Sequence, residues 1–198
     1  MTLVREFLTE ANVPWYEKEA FEGDDIMGTI SNICVKLGYD VEIVSNDKDC
    51  FQLVNDKVSI LRQKTAKTCV EYMKALIGDS SDNIKGLRGL HADTAKKLIS
   101  KYDSIENIYK NIDDFEDFQK EKFLNYKEQI LINKKIATIL KNVQLGRINL
   151  KPLRVNYIKF MRFLKKEKMW AFTKKIEEVY TKQLEERQKW YEEKNKPQ

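Results

Sequence analysis

Three tight clusters of acidic residues place the strongest constraint on this chain. The clusters are Glu22 with Asp24 and Asp25, Asp47 with Asp49, and Asp79 with Asp82. Each adjoins an apolar segment, so a folded chain can gather the carboxylates into one pocket. Crowded carboxylates repel one another and cannot all stay ionised without compensation. A hard divalent cation such as Mg²⁺ supplies that compensation through oxygen ligands, so the pattern predicts a metal-dependent phosphoryl-transfer pocket.

Taken singly, each acidic cluster also has a structural interpretation. The carboxylates of Glu-Gly-Asp-Asp can cap a helix N-terminus, where negative charge is favourable. Asp47 and Asp49 are either ligands or parts of a solvated loop. Asp79 and Asp82 lie three residues apart, about one helical turn, so both can face one ion. The three clusters together, each at the boundary of an element, favour the metal site.

Composition favours a soluble cytoplasmic protein. The 198 residues, 42% of them hydrophobic, suffice for one sizeable core or a core with a small appended domain. No apolar run approaches the roughly 18 residues that a membrane span needs, and the start lacks a secretory signal. Cys34, Cys50 and Cys69 show no CxxC spacing, which favours free thiols in a reducing cytoplasm. The single histidine, His91, leaves little for histidine-based catalysis.

The net charge of +5 is unevenly distributed. Residues 151–198 hold 14 Lys/Arg and 7 Asp/Glu, whereas residues 1–150 hold 22 and 24. An acidic pocket followed by a basic tail suits a nuclease that holds phosphate while it concentrates metal. The alternative is a solvated basic helix face.

Hydrophobic spacing predicts a parallel α/β region followed by helices. Strands are expected at 13–16, 41–45 and 58–61, and helices at 2–11, about 26–37, 49–54, 69–77, 94–102, about 104–111, 118–142 and about 156–195. Asp93 or Thr94 is expected to cap one helix, and Asp103 with Glu106 to form a capping box for the next. Expected core residues of the helical region 118–142 are Ile130, Leu131, Ile136, Ile139 and Leu140. Ligands bind beyond the carboxyl ends of parallel strands, where two acidic clusters fall.

A glycine-punctuated turn between Ile84 and Lys97 has the form of a helix–hairpin–helix phosphate clamp. Its backbone N–H groups and the following helix N-terminus would attract a phosphate. The candidate DNA-binding residues are Lys85, Gly86, Arg88, Gly89, His91, Thr94, Lys96 and Lys97. The alternative is a tight helix–helix turn that needs glycine for steric reasons. His91, at a position where a third glycine is expected, either contacts phosphate or blocks its close approach.

These motifs, in this order, resemble the 5′-nuclease family: the 5′→3′ exonuclease domain of bacterial DNA polymerase I and its stand-alone relatives, akin to flap endonucleases. FEGDDIMGT at 21–29 resembles YEADDIIGT, and SNDKDCFQLV at 45–54 resembles SGDKDLLQLV. ALIGDSSDNI at 75–84 resembles ALVGDSSDNI. Residues 94–99, 104–108 and 127–139 continue the match, which extends from about residue 3 to 176.

The resemblance implies a fold of the α/β plus α class. A partial PIN-like parallel-sheet domain (residues 1–75) would be followed by a helix–three-turn–helix, or SAM-like, helical domain (76–145). A C-terminal helical extension with a basic tail would occupy residues 146–198. The implied partners are DNA with a 5′ flap or 5′ end and a DNA polymerase of the same pathway in replication and repair, with no role for a membrane.

The resemblance also assigns roles within the acidic clusters. Glu22, Asp24 and Asp25 would belong to the first metal group and Asp79 and Asp82 to the second, with Asp47 and Asp49 between them. Asp24, Asp47 and Asp49 are the residues expected to be catalytic. The implied cofactors are Mg²⁺ or Mn²⁺ in a two-metal site and K⁺ in the helix–three-turn–helix motif. Metal-activated water would attack a phosphodiester and leave 5′-phosphate products.

The chain departs from the family pattern in three respects. It begins after the position of the family's first core strand, whose terminal Asp binds metal, and of its helical arch, so the first metal group is expected to be incomplete. The stretch between Leu61 and Ala75 is shorter than usual, and Asn46, Lys85 and His91 replace a glycine, a proline and a glycine. Two other hypotheses therefore accompany the nuclease: a catalytically impaired DNA-binding remnant, and half of a split nuclease completed by a missing N-terminal fragment.

Overall fold

The computed structural model describes residues 2–61 and 70–194, which divide into two compact units. The larger unit spans Glu17–Gly146, and the smaller joins the residues up to Tyr16 with those from Arg147 onward. The α-helices are α1 (Thr2–Glu10), α2 (Gly23–Lys36), α3 (Val70–Ile77), α4 (Ala92–Tyr102), α5 (Ile105–Lys110), α6 (Asp117–Asn125), α7 (Lys127–Ala137), α8 (Tyr157–Lys166) and α9 (Trp170–Lys194). The strands are β1 (Val41–Ile43), β2 (Val58–Ile60), β3 (Gly78–Asp79) and β4 (Ile84–Lys85), and short 3-10 helices span Lys48–Leu53 and Ile112–Asp114.

Strands β1 and β2 form the small parallel sheet of the larger unit. Val41 lies opposite Val58 and Ile43 opposite Ile60, in the parallel register. Branched side chains suit a pleated, half-buried surface, and Ile43, Val58 and Ile60 are buried here. The predicted parallel sheet is confirmed, with two strands among the described residues. The connection from β1 to β2 contains the 3-10 helix of Lys48–Leu53, which begins a few residues after the carboxyl end of β1.

The helices that follow the sheet surround a separate apolar core. Leu76 of α3, Ile105 and Ile108 of α5, Phe123 of α6 and Ile130 of α7 are all almost completely buried in it. Burial of each such side chain contributes about 1.5–3 kcal/mol to stability. A small α/β region followed by a helical domain is therefore the observed fold class, as predicted.

The antiparallel hairpin of β3 and β4 leads out of α3. Gly78 pairs with Lys85, and Asp79 with Ile84. Gly86 has no room for a side chain, since an added Cβ would lie 2.0 Å from the carbonyl carbon of Ile77. This close approach supports the steric explanation for Gly86, and the hairpin fixes Asp79 and Asp82 beside the end of α3.

The predicted caps of α4 and α5 are wrong. Helix α4 begins at Ala92 with His91 as its N-cap, ahead of Asp93 and Thr94. Asp103 ends this helix in a left-handed conformation (φ 62°) and therefore cannot open the next one. Ser104 caps α5 instead, because its hydroxyl accepts a hydrogen bond from the backbone N–H of Asn107.

The helical region predicted over residues 118–142 is confirmed up to Ala137, but not beyond it. The chain forms α6 and α7 with a break at Tyr126, and α7 ends at Ala137. Of the expected core residues, Ile130 and Ile139 are buried. Leu131, Ile136 and Leu140 are exposed. The break and the early end change which side chains face inward, which the apolar spacing alone does not reveal.

The predicted strand at 13–16 is also wrong, because this segment joins no backbone ladder. Pro14 lacks the N–H that a ladder requires. The chain is held by other contacts within the smaller unit. The Asn156 N–H donates to the carbonyl of Ala11 at 2.9 Å, and the Asn149 N–H donates to the Tyr16 hydroxyl at 2.6 Å.

Helices α1, α8 and α9 make up most of the smaller unit. Phe7 of α1 packs edge-on against Phe160 and Phe163 of α8, with ring centroids 4.8 and 5.8 Å away. The helical region predicted at about 156–195 is confirmed up to Lys194, with a turn at Glu167–Met169 between α8 and α9. None of the helices in the described ranges is both long and apolar enough to cross a bilayer.

Candidate metal centre

The N-terminus of α2 separates the first acidic cluster into two capping residues and one carboxylate that takes no part in capping. Asp25 forms a capping box with Glu22. The backbone nitrogen of Glu22 lies 3.4 Å from Oδ2 of Asp25, to which its N–H donates. The other oxygen of Asp25 accepts a hydrogen bond from the Leu140 N–H at 2.8 Å. Glu22 and Asp25 thus fix the start of the helix and the chain beside it. Asp24, between them, is left facing the second cluster.

Asp24, Asp47 and Asp49 come together at the carboxyl end of β1. Each offers one carboxylate oxygen, and these oxygens lie within 4.8 Å of one another. Asp47 caps the 3-10 helix by accepting a hydrogen bond from the Asp49 N–H at 2.9 Å, which fixes both side chains on one turn. Three oxygen ligands at this spacing fit a hard divalent cation.

The pKa of Asp24 reflects both its partial burial and the repulsion among these carboxylates. Partial burial raises the pKa of its carboxyl, and the negative charges of Asp47, Asp49 and Glu22 raise it further. The buried Cys50 thiol lies 3.8 Å from the Asp24 carboxylate and opposes the shift as a weak donor. A bound cation would relieve the same repulsion, because it favours the ionised form of every carboxylate around it.

Lys74 links the second acidic pair to this centre. Its ammonium nitrogen lies 2.5 Å from Asp49 Oδ2, 2.7 Å from Asp82 Oδ2 and 2.9 Å from Asp79 Oδ2. Burial disfavours the charged lysine, but its hydrogen bonds to the three carboxylates outweigh burial and raise the Lys74 pKa above its ordinary value. The protein thus supplies its own cation to Asp79 and Asp82.

Asp79 is held further by its own turn. The Ser81 hydroxyl and backbone N–H donate to Asp79 Oδ1 at 2.5 and 2.9 Å. These bonds and the Lys74 ammonium lower the pKa of the Asp79 carboxyl well below its usual range. Asp79 is therefore stabilised in its ionised form, in contrast to Asp24.

The glycine turn presents its basic side chains to solvent. Lys85, Arg88, Lys96 and Lys97 are exposed, as are His91 and Thr94. Gly89 adopts φ +76°, a conformation that favours glycine, and lies beside the exposed start of α4. Exposed basic groups at a helix N-terminus are compatible with phosphate contact. The steric role of Gly86 does not exclude phosphate contact, since the basic side chains of the turn are themselves exposed.

Two residues that sequence reasoning missed connect these parts. Asn133 is 1% exposed, and its amide donates to the carbonyl oxygens of Ala75 (3.2 Å) and Lys85 (2.8 Å), which joins α7 to α3 and β4. Lys74 is the other. The signal for Lys74 was its place as the only charged residue between Tyr72 and Gly78, in an apolar helix end directly before an acidic cluster. Asn133 left no such signal.

Comparisons with known proteins agree with the observed fold. The N-terminal resolvase-like domain of the 5'-3' exonuclease matches residues 1–79, and its C-terminal SAM fold matches residues 65–160. The chain belongs to the 5'-3' exonuclease family.

Similar curated proteins include bacterial DNA polymerases I. That of Bacillus subtilis (strain 168) is 36% identical over 71% of this chain and 18% of the polymerase. The thermostable DNA polymerase I of Thermus aquaticus is 26% identical over 89% of this chain and 22% of the polymerase. The chain thus spans about a fifth of the length of these relatives.

Solved structures share the fold. A mutant of the T5 5'-exonuclease superimposes with a TM-score of 0.54 at 21% identity, covering 66% of this chain and 60% of that protein. Another T5 5'-exonuclease structure contains divalent metal ions (zinc). The T5 flap endonuclease has also been solved in a pseudo-enzyme-product complex with DNA and metal ions, with a TM-score of 0.53 at 20% identity over 66% of this chain and 54% of that protein.

Proposed function

We propose that this protein is a metal-dependent 5′→3′ exonuclease or structure-specific flap endonuclease that acts on DNA in replication and repair. The observation that carries the proposal is the convergence of the Asp24, Asp47 and Asp49 oxygens within 4.8 Å, in a chain of the 5'-3' exonuclease family. Such a donor set fits Mg²⁺ or Mn²⁺. The metal, when bound, would activate water and stabilise charge on the cleaved phosphodiester.

Each part of the site has a role under this proposal. Asp24, Asp47 and Asp49 hold the ion, and the capping box of Glu22 and Asp25 keeps Asp24 in place. Asp79 and Asp82 form the second acidic group. Their carboxylates neighbour the first group because Lys74 bridges them to Asp49.

The exposed turn from Lys85 to Lys97 would hold the DNA. Its lysines and Arg88 attract the phosphate backbone without reading sequence, and the glycine-rich backbone allows close approach. K⁺ would be bound in this helix–three-turn–helix motif. Duplex DNA with a 5′ flap or 5′ end is the proposed substrate, and a DNA polymerase of the same cytoplasmic pathway would fill the resulting gap.

Cleavage of a labelled 5′-flap substrate with Mg²⁺ or Mn²⁺ tests the proposal. We expect metal-dependent cleavage that Asp47→Asn abolishes and Asp56→Asn preserves. Asp56 is an exposed aspartate outside the three clusters, so it controls for the loss of one negative charge. Binding to the same substrate is measured in Ca²⁺, which supports binding without turnover.

Two results would contradict the nuclease. Cleavage that survives Asp47→Asn would mean that the acidic centre is not the site of reaction. Salt-sensitive DNA binding without cleavage by the wild-type chain would support a DNA-binding module instead, which the exposed basic turn favours.

A further inference from the structure

The Lys74 ammonium occupies a closed position among three carboxylates. Its side chain is only 14% exposed, and its nitrogen lies 2.5–2.9 Å from oxygens of Asp49, Asp79 and Asp82. A lysine ammonium has three N–H donors. Three donors facing three carboxylates leave none free for a phosphate or another partner.

The three carboxylates come from two different acidic clusters. Asp49 lies on the 3-10 helix after β1, and Asp79 and Asp82 lie on the hairpin after α3. A second divalent cation in a two-metal site would have to use oxygens of these same groups. A positive charge already stands where that cation would bind, and two cations so close repel each other strongly in a partly buried site.

We propose that Lys74 takes the place of the second metal ion, so that the resting protein binds one divalent cation, at Asp24, Asp47 and Asp49. The inference rests on the proposed function for the identity of the first ion. Lys74 acts here as a positioning residue: it draws the Asp79–Asp82 hairpin against Asp49 without a metal. Removal of its charge would leave three carboxylates without compensation and open them to a second ion.

A purely structural salt bridge makes a different prediction. Loss of a bridge that only tethers the hairpin would loosen the carboxylates and weaken metal binding or leave the number of ions unchanged. If Lys74 instead takes the place of the second ion, loss of its charge increases the number of bound ions. The stoichiometry of the bound metal therefore distinguishes the two cases.

The experiment counts Mn²⁺ bound at saturation, by electron paramagnetic resonance of free Mn²⁺, for wild type, Lys74→Met and Lys74→Gln. Met and Gln keep most of the length of the side chain without its charge, and Gln keeps a polar end in case Met does not fold. Lys57→Met is the matched control, since it removes an exposed lysine paired with a single carboxylate, that of Asp40, at 3.4 Å. Thermal unfolding checks that each variant is folded.

We expect the Lys74 variants to bind one Mn²⁺ more than wild type, and Lys57→Met to bind the same number as wild type. An equal or lower count in both folded Lys74 variants, or two ions in wild type, would overturn the inference. Flap cleavage in the same samples reports separately on the proposed function. If wild type does not cleave DNA but the Lys74 variants still gain an ion, the nuclease fails and the role of Lys74 stands.

Discussion

The two acidic groups carry the same chemistry in opposite environments. Asp24, in the first group, lies among carboxylates in a partly buried position, and its pKa is raised. Asp79, in the second, accepts hydrogen bonds from Ser81 and Lys74, and its pKa is lowered. The first group is arranged to gain from a cation, whereas the second already has one. Acidic motifs that the family resemblance assigns to one metal site need not play equivalent parts in a given chain.

The largest expected effect is the loss of the first group. Asp24→Asn removes one of three converging ligands. We expect the rate of flap cleavage with Mn²⁺ to fall at least about 100-fold. Mutation of residues that only orient a metal's ligands already lowers metal affinity or activity about 10–100-fold, and Asp24 is itself a proposed ligand. Initial rates over a Mn²⁺ titration measure the effect. Recovery of full activity at high Mn²⁺ would show that Asp24 affects affinity alone.

A smaller effect is expected from removal of Asn133, which anchors the hairpin that carries the second acidic group. Asn133→Ala removes two hydrogen bonds to Ala75 and Lys85 inside the protein. We expect the free energy of unfolding to fall by about 2 kcal/mol, with faster hydrogen exchange in the hairpin than in β1. Urea unfolding and exchange measurements check this, with the exposed Asn125→Ala as control. Equal acceleration in β1 would contradict the local anchoring of the hairpin.

Asp79→Asn is expected to destabilise the protein in a pH-dependent way. A carboxyl whose pKa is lowered on folding stabilises the folded state above its unfolded pKa of about 3.9 and loses that contribution as pH falls toward the folded value. We expect a loss of about 1.5 kcal/mol at pH 7, shrinking below pH 4. Chemical unfolding across this range measures it. A loss independent of pH would point to packing instead of charge.

Asp24→Asn is expected to stabilise the protein when no metal is present, opposite to the effect of Asp79→Asn. A carboxyl whose pKa is raised on folding binds its proton more tightly in the folded state, so stability falls as pH rises from the ordinary pKa through the raised one. The neutral Asn escapes this penalty. We expect a gain of about 0.5–1 kcal/mol at pH 7 with a chelator. Thermal unfolding with EDTA measures this gain, and destabilisation would contradict the account of the first group.

Local patterns in the sequence predicted much of this fold. Helix α2 and strands β1 and β2 follow from apolar periodicity, and α2 begins within the first acidic cluster, as expected. The break at Tyr126 and the switch of caps from Asp103 to Ser104 depend on tertiary packing and on single backbone angles. Apolar spacing carries neither kind of information.

In the candidate site, too, features set by local sequence were predictable, whereas contacts between residues far apart in the sequence were not. The convergence of Asp24 with Asp47 and Asp49 follows from their places at the ends of elements that meet at one sheet edge. The bridge from Lys74 to Asp49 joins residues 25 apart, and that from Asn133 to Ala75 joins residues 58 apart. The position of Lys74 in an apolar helix end singled out that residue, but its partner Asp49 and the contacts of Asn133 depend on how the elements pack, and the sequence alone did not indicate them.

A crystal structure with Mn²⁺, with the metal located by its anomalous scattering, tests the central claim most directly. We expect an anomalous peak coordinated by Asp24, Asp47 and Asp49, while Lys74 still contacts Asp79 and Asp82. Absence of a peak at the first group in crystals saturated with Mn²⁺ would contradict the account.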